Sequence, residues 1–171
     1  ASPIPRSMKS YPGSDAYSVA DLPAIDFLII SHDHWDHLDY ETIVKLKDKV
    51  ALVVTGLGVG AHLEHWGYAP EKVKELYWDE QLTLTPGMTI TATTSRHFSG
   101  RLLKRNTTLW CSFVLKSSSA SLFLGGDSGY GPHFKAIGDT YGPFDLAILE
   151  NGQYNASWRN IHLMPDEILH A

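Results

Sequence analysis

The first part of the chain alternates apolar runs with segments of helical periodicity. Residues 25–30 and 51–55 are almost continuously apolar, which predicts two strands buried on both faces. Between them, residues 40–47 carry apolar side chains at helical spacing, and Asp39 is suited to accept hydrogen bonds in the first turn. Residues 58–66 predict a second short helix. Such alternation of strands and helices is typical of α/β folds.

The pattern changes after the second helix, where short strands separated by turn residues follow one another. These strands are predicted at residues 73–77, 81–84, 89–94, 109–115, 121–124 and 146–150. Residues 133–141 predict a helix within this second part, and Pro165 predicts the start of a final helix. The sequence therefore predicts an α/β layered fold with a mixed sheet. Its ligands are expected beyond the carboxyl ends of the strands.

Composition limits the class of protein and its partners. The 171 residues, 43% hydrophobic and 19% charged, are enough for one domain over residues 1–171, with an irregular lead-in at residues 1–21. The net charge of −5 argues against a general nucleic-acid partner. No apolar stretch approaches the ~20 residues of a transmembrane helix. The single cysteine, Cys111, excludes an internal disulfide and favours a reducing compartment, so we expect a cytoplasmic protein.

The densest group of reactive side chains directly follows the first predicted strand. Residues 32–37 read HDHWDH, so three imidazoles and two carboxylates lie in one loop. Buried groups of this kind must be paired or bound to a metal. His32 and His34 can project to one side and bind one cation, and Asp36 and His37 can then reach a second. The alternative interpretation is a solvated polar loop.

Two later loops supply further side chains of the same type. His97 follows one predicted strand, and Asp127 follows another after two glycines, which let the backbone turn sharply. An aspartate in this position can bridge two cations. Taken alone, the two residues would be interpreted as a surface histidine and a turn aspartate. His62 and His65, on the second predicted helix, are expected to be surface or core histidines.

This series of residues occurs in a known family. The residues that carry the resemblance are His32, His34, Asp36, His37, His97 and Asp127. The series resembles the metallo-β-lactamase superfamily, and segments such as GDSGY at 126–130 and GPFDLA at 142–147 resemble its N-acylphosphatidylethanolamine-hydrolysing phospholipase D-like bacterial branch. The resemblance implies an αββα sandwich. Its opening hairpins are not recognisable in residues 1–21, nor are its C-terminal strands, so we expect part of a longer domain.

The resemblance also implies roles for single residues. The first metal takes His32, His34 and His97, the second takes Asp36 and His37, and both share Asp127. The family has one more histidine ligand, which is not placed in this chain, so we leave the completeness of the second site open. Asp36 is expected to orient the hydroxide as a catalytic residue. His162, Tyr130 and Glu150 are expected to contact the substrate or to support the ligands.

The activity implied by this site is hydrolysis by a hydroxide that bridges two divalent metal ions. Zinc is the expected metal, although such ligands also accept iron, manganese or nickel. The expected substrate is a phosphodiester or related ester, small or lipid-derived, as for a phospholipase D. Peripheral membrane contact is compatible with this substrate, and the oligomeric state is left open. The alternatives are a lactonase resembling ascorbate-6-phosphate lactonase and a non-catalytic metal-binding interaction protein.

Overall fold

The computed structural model describes residues 12–13, 16–101, 103–151 and 155–171. The strands are β1 (Ile25–Ile30), β2 (Val50–Gly56), β3 (Val73–Leu76), β4 (Gln81–Thr85), β5 (Met88–Thr93), β6 (Gly100–Arg101), β7 (Lys104–Arg105), β8 (Ser112–Lys116), β9 (Ser121–Leu124) and β10 (Leu146–Ile148). The α-helices are α1 (Tyr40–Leu46), α2 (Gly60–His65) and α3 (Pro132–Tyr141). Much of the predicted lead-in, residues 1–11 and 14–15, lies outside the described residues, and Val19–Asp21 forms a single 3-10 turn.

The first sheet is parallel and has the strand order β1-β2-β3. One of its faces is covered by α1 and α2, whose Ile43 and Leu63 belong to the same buried cluster as Val53 of β2. Helix α1 follows Asp39, whose carboxylate accepts the backbone N–H of Thr42 at 3.0 Å. This cap confirms the predicted start of the helix.

The second sheet is mixed and has the strand order β10-β9-β8-β5-β4. Its strands are antiparallel except for β10, which pairs in parallel with β9. Helix α3 covers its outer face, where Phe134 packs with Phe123. Its inner face meets the first sheet in another buried cluster, which includes Val54, Ile90 and Phe113. The layers therefore run α–β–β–α, which confirms the expected sandwich.

Two predicted strands differ from the structure, one in its pairing and the other in where it begins. Residues 73–77 are predicted within the later meander, but β3 pairs in parallel with β2 because α2 makes a β–α–β crossover between them. The strand predicted at 109–115 begins only at Ser112. Before that residue, the Cys111 N–H donates to the carbonyl oxygen of Ser31, so this segment reaches across to the first sheet.

The predictions for short elements also need correction. The final helix predicted from Pro165 is a 3-10 turn at Ile168–His170, where the His170 N–H donates to the carbonyl oxygen three residues earlier, at Glu167. The hairpin β6–β7 is not predicted, because two-residue strands carry no periodicity. In the described parts of the chain, no helix combines the length and apolarity needed to cross a membrane.

Candidate metal centre

Three histidine nitrogens converge beyond the carboxyl ends of β1 and β5. His32 and His34 belong to the loop after β1, and His97 belongs to the loop after β5. The Nδ1 atom of His34 lies 2.9 Å from His32 Nε2 and 3.1 Å from His97 Nε2. His32 and His97 are buried, whereas His34 is half-buried. The structure thus brings His97 next to two histidines that precede it by more than 60 residues in the sequence.

The protonation of these imidazoles favours a cation at their meeting point. The outer nitrogen of His97, Nδ1, lies 2.8 Å from the carbonyl oxygen of Ile161, which only accepts hydrogen bonds. Nδ1 therefore carries the proton, and the lone pair of Nε2 faces the other histidines. Burial lowers the pKa of His97 to about 4 and also lowers the pKa values of His32 and His34. Neutral imidazoles with converging lone pairs fit a bound divalent metal.

A second group forms around Asp127, in the loop after β9. Its Oδ2 atom lies 3.2 Å from His37 Nε2 and 3.8 Å from His97 Nε2, so it stands between the two groups. Asp36 Oδ2 lies 3.8 Å from His37 Nε2, and the Asp36 side chain is 74% exposed. Gly126 allows this approach, because a Cβ atom there would lie 2.9 Å from the Cβ of Ser31.

The pKa values of this second group shift in the direction of an ion pair. Burial alone lowers the pKa of His37, but the hydrogen bond that it donates to Asp127 and the nearby carboxylates outweigh burial and raise it. Burial alone raises the pKa of Asp127, but the hydrogen bond and charge of His37 outweigh it and lower that pKa. His37 and Asp127 therefore each favour the charged form of the other.

The structure also places His162 and Glu150 at this site. The Nδ1 atom of His162 lies 3.1 Å from both carboxylate oxygens of Glu150 and 3.9 Å from Asp127 Oδ2. Glu150 is held by the Leu163 N–H, which donates to its Oε1 at 2.7 Å. His162 thus joins His97 and Asp127 in a third set of side chains that can hold a metal.

Tyr130 lies apart from these sets. Its ring stacks against Phe134 of α3 with 6.1 Å between the ring centres, and its backbone oxygen accepts a hydrogen bond from Arg96. The ring is partly exposed. Its expected contact with the substrate stays a prediction.

Sequence reasoning missed the role of Asp33, the aspartate between His32 and His34. Asp33 is only 1% exposed, and its Oδ1 atom accepts the Gly100 N–H at 2.7 Å. Its Oδ2 atom lies 3.6 Å from His62 Nε2, so a histidine expected to be incidental faces this carboxylate. The alternation of the motif is the signal that could have identified it. When its two neighbours point to the metal site, Asp33 points into the protein.

Arg101 holds the same loop from the other side. Its Nη1 atom donates to the carbonyl oxygens of Asp33 and Leu38, each at 2.8 Å. The guanidinium group also lies 3.9 Å from the centre of the Trp35 ring. Asp33 and Arg101 therefore join the loop after β1 to the segment that follows His97.

Comparison with known proteins shows which family model and which relatives the chain matches. The chain matches the family model described as the Beta-lactamase superfamily domain over residues 6–171. It is 44% identical over 154 residues to an uncharacterized protein of Mycobacterium tuberculosis, covering 90% of this chain and 41% of that protein. It is 32% identical over 179 residues to N-acyl-phosphatidylethanolamine-hydrolyzing phospholipase D 1 of Caenorhabditis elegans, covering 94% of this chain and 50% of that enzyme. The chain thus spans half or less of each relative.

Solved structures share the fold at lower sequence identity. An isothiocyanate hydrolase from Delia radicum gut bacteria has a TM-score of 0.71 and 23% identity, covering 90% of this chain and 60% of that chain. CmlA, a diiron β-hydroxylase from Streptomyces venezuelae, has a TM-score of 0.64 and 23% identity, covering 88% of this chain and 31% of that chain. These two likenesses concern the fold alone. Together with the match over residues 6–171, the layered fold and the grouped histidines and aspartates show that the chain belongs to the metallo-β-lactamase superfamily.

Proposed function

We propose that the chain carries the metal centre of a hydrolase that cleaves a phosphodiester or related ester, in the manner of a phospholipase D. The observation that carries the proposal is the convergence of the imidazoles of His32, His34 and His97 beside the Asp127 carboxylate, with Asp36 exposed next to them. The nematode relative, 32% identical, is named for phospholipase D activity on an N-acylated phosphatidylethanolamine. That name supports a lipid-derived diester as the substrate.

We propose two divalent metal ions, with zinc as the metal. The first would be held by His32, His34 and His97, the second by Asp36 and His37, and Asp127 would contact both. Neutral imidazoles and carboxylates are ligands that zinc accepts, and iron accepts them too. Metal ions bound in this way would lower the pKa of water towards neutrality and would polarise a phosphoryl or carbonyl oxygen of the ester, which makes the phosphorus or carbon atom easier to attack.

The side chains around the metals have distinct tasks in this proposal. The exposed carboxylate of Asp36 orients the attacking water and takes up its proton at Oδ2. His162 donates its Nδ1 proton to the carboxylate of Glu150, which fixes the imidazole plane and leaves Nε2 free for the substrate. Glu150 is therefore a positioning residue, and His162 contacts the substrate.

The test combines metal analysis with a panel of substrates. We expect the purified protein to contain two equivalents of divalent metal and to cleave a phosphodiester in preference to a lactone or a β-lactam. His32→Ala and Asp127→Ala should lose metal and activity while circular dichroism stays unchanged. Full metal content and activity in both folded variants would refute the proposal. Preference for the lactone would replace it with a lactonase, and bound metal without turnover would favour a non-catalytic metal-binding protein.

We propose a cytoplasmic location on the basis of the one cysteine, Cys111, which is buried and has no disulfide partner in the chain. If the substrate is lipid-derived, a protein in this location reaches it from the cytoplasmic face of a membrane. Fractionation of cells that produce the protein tests the location. Recovery in a periplasmic or extracellular fraction would contradict it.

A further inference from the structure

The hairpin β6–β7 presents a leucine to solvent beside the metal centre. Leu103, in its turn, is 99% exposed, and Lys104 and Arg105 follow it with exposed side chains. A leucine in this position adds nothing to the buried clusters of the chain. Its exposure therefore points to a partner with an apolar surface.

The charge around this hairpin is opposite in sign to that of the whole protein. Residues 95–107 contain four of the chain's 14 Lys and Arg residues and no Asp or Glu, whereas the chain has a net charge of −5. Two of these cations, Arg96 and Arg101, donate hydrogen bonds to other parts of the chain. Among the described residues, Lys104 and Arg105 form no salt bridge with a carboxylate. The hairpin thus combines an apolar tip with two available positive charges.

The hairpin is firmly attached next to the candidate metal centre. The Gly100 N–H at its start donates to Asp33, in the loop that carries the histidines. At its end, the Arg105 guanidinium lies 5.1 Å from the centre of the Phe98 ring. That ring in turn lies 4.5 Å from the His34 ring, measured between centres. A surface bound by the hairpin would therefore lie close to the metal site.

We propose that the β6–β7 hairpin docks the protein onto an anionic membrane surface. Leu103 enters the boundary between headgroups and acyl chains, and Lys104 and Arg105 contact lipid phosphates. Charge complementarity favours this partner, since the net negative charge of the chain is repelled by an anionic surface, whereas this positively charged patch is attracted to it. A nucleic acid would attract the two cations but would offer nothing to an exposed leucine. The proposal stands on the hairpin alone and does not rest on the proposed hydrolase function.

The primary test is sedimentation of the full chain with lipid vesicles. We expect binding to vesicles of equal parts phosphatidylglycerol and phosphatidylcholine, and little binding to phosphatidylcholine alone. Binding should weaken as salt is added, because surface charges separated by more than a screening length of about 10 Å at 0.1 M salt no longer attract each other. Failure to bind the anionic vesicles at low salt would overturn the proposal.

Variants of the hairpin identify the surface that binds. The double variant Lys104→Ser/Arg105→Ser should weaken vesicle binding about 25-fold, because each cation near such a surface contributes about fivefold. Leu103→Ser should weaken it about fivefold or more, because the leucine no longer enters the apolar layer. These side chains are exposed, so thermal melting should be unchanged.

Matched controls alter the same chemistry elsewhere. Lys45→Ser/Lys74→Ser makes the same change in net charge on α1 and β3, and Leu169→Ser removes a leucine that is 92% exposed near the end of the chain. Both controls should bind vesicles like the unaltered protein. If the controls weaken binding as much as the hairpin variants do, binding is nonspecific and the proposal fails.

Two further measurements distinguish membrane docking from nucleic-acid binding and from the proposed hydrolase function. Tighter binding to a double-stranded DNA fragment, unaffected by Leu103→Ser, would assign the cations to nucleic acid and overturn membrane docking. The hairpin variants should keep full metal content and cleave the water-soluble diester bis(p-nitrophenyl) phosphate at the unaltered rate. If the unaltered protein does not cleave that diester, the proposed hydrolase function fails, while the vesicle result still decides the docking proposal.

Discussion

The two halves of the candidate metal centre are built in different ways. In the three-histidine half, His32 and His97 are buried, and the outer nitrogen of His97 is fixed by a backbone carbonyl. In the other half, the Asp36 side chain is 74% exposed, and His37 is held by the carboxylate of Asp127. Burial favours the neutral imidazoles of the first half, whereas the contact between His37 and Asp127 favours their charged forms in the second half, which is more open to solvent. One six-residue loop thus supplies both a rigid ligand set and an accessible one.

The largest expected effect comes from removing one ligand from each half. His97→Ala should weaken binding of the first metal by more than about hundredfold, because even residues that only support a ligand change metal affinity by about 10- to 100-fold. His37→Ala should remove the second metal and leave the first in place. Titration calorimetry with Zn²⁺, together with metal analysis, measures both. His65→Ala, an exposed helix residue, is the control. If each variant lost both metals to the same extent, the two halves would not bind metal independently, and the proposed difference between them would be wrong.

The next largest effect concerns Asp33, which supports the three-histidine half without facing it. Asp33→Ala leaves the Gly100 N–H without its acceptor and should weaken metal binding by about 10- to 100-fold. Asp33→Asn keeps an oxygen for the same N–H and should recover much of the loss. Competition with a chelator measures the affinity, and circular dichroism checks the fold. If Asp33→Asn binds metal as weakly as Asp33→Ala, the hydrogen bond to Gly100 does not position the loop.

The two halves should also release metal at different pH. The pKa of His97 is lowered to about 4, so protons compete with metal in the first half only as the pH approaches that value. The pKa of His37 is raised above its usual value by Asp127 and the nearby carboxylates, so protons compete there at a higher pH than in the first half. Below each pKa, apparent affinity falls about tenfold per pH unit for one ligand proton. Dialysis from about pH 8 to about pH 5 should therefore remove the second metal first. Simultaneous release would contradict the assignment of His37.

Local sequence signals account for the elements that hold the ligands, but not for the contacts between them. The run 25–30 and the Asp39 cap predict β1 and α1, and the motif after β1 predicts the grouped histidines. The contact of Asp33 with Gly100 joins residues 67 positions apart, and no local pattern encodes it. The hairpin β6–β7 has strands too short for any periodicity. The parallel pairing of β3 with β2 depends on the crossover through α2. A prediction made for each strand separately does not take that helix into account.

The smallest expected effect comes from replacing Cys111, which tests whether the buried packing behind the three-histidine half affects the metal site. Cys111 is buried between the sheets, its N–H donates to Ser31 beside His32, and burial raises the pKa of its thiol to about 12. The thiol should therefore not react with Ellman's reagent in the native protein and should react fully in urea. Cys111→Ala should lower the free energy of unfolding by only about 1 kcal/mol and leave metal content unchanged. Loss of metal in this variant would mean that packing behind the histidines, and not only their hydrogen bonds, preorganises the first half.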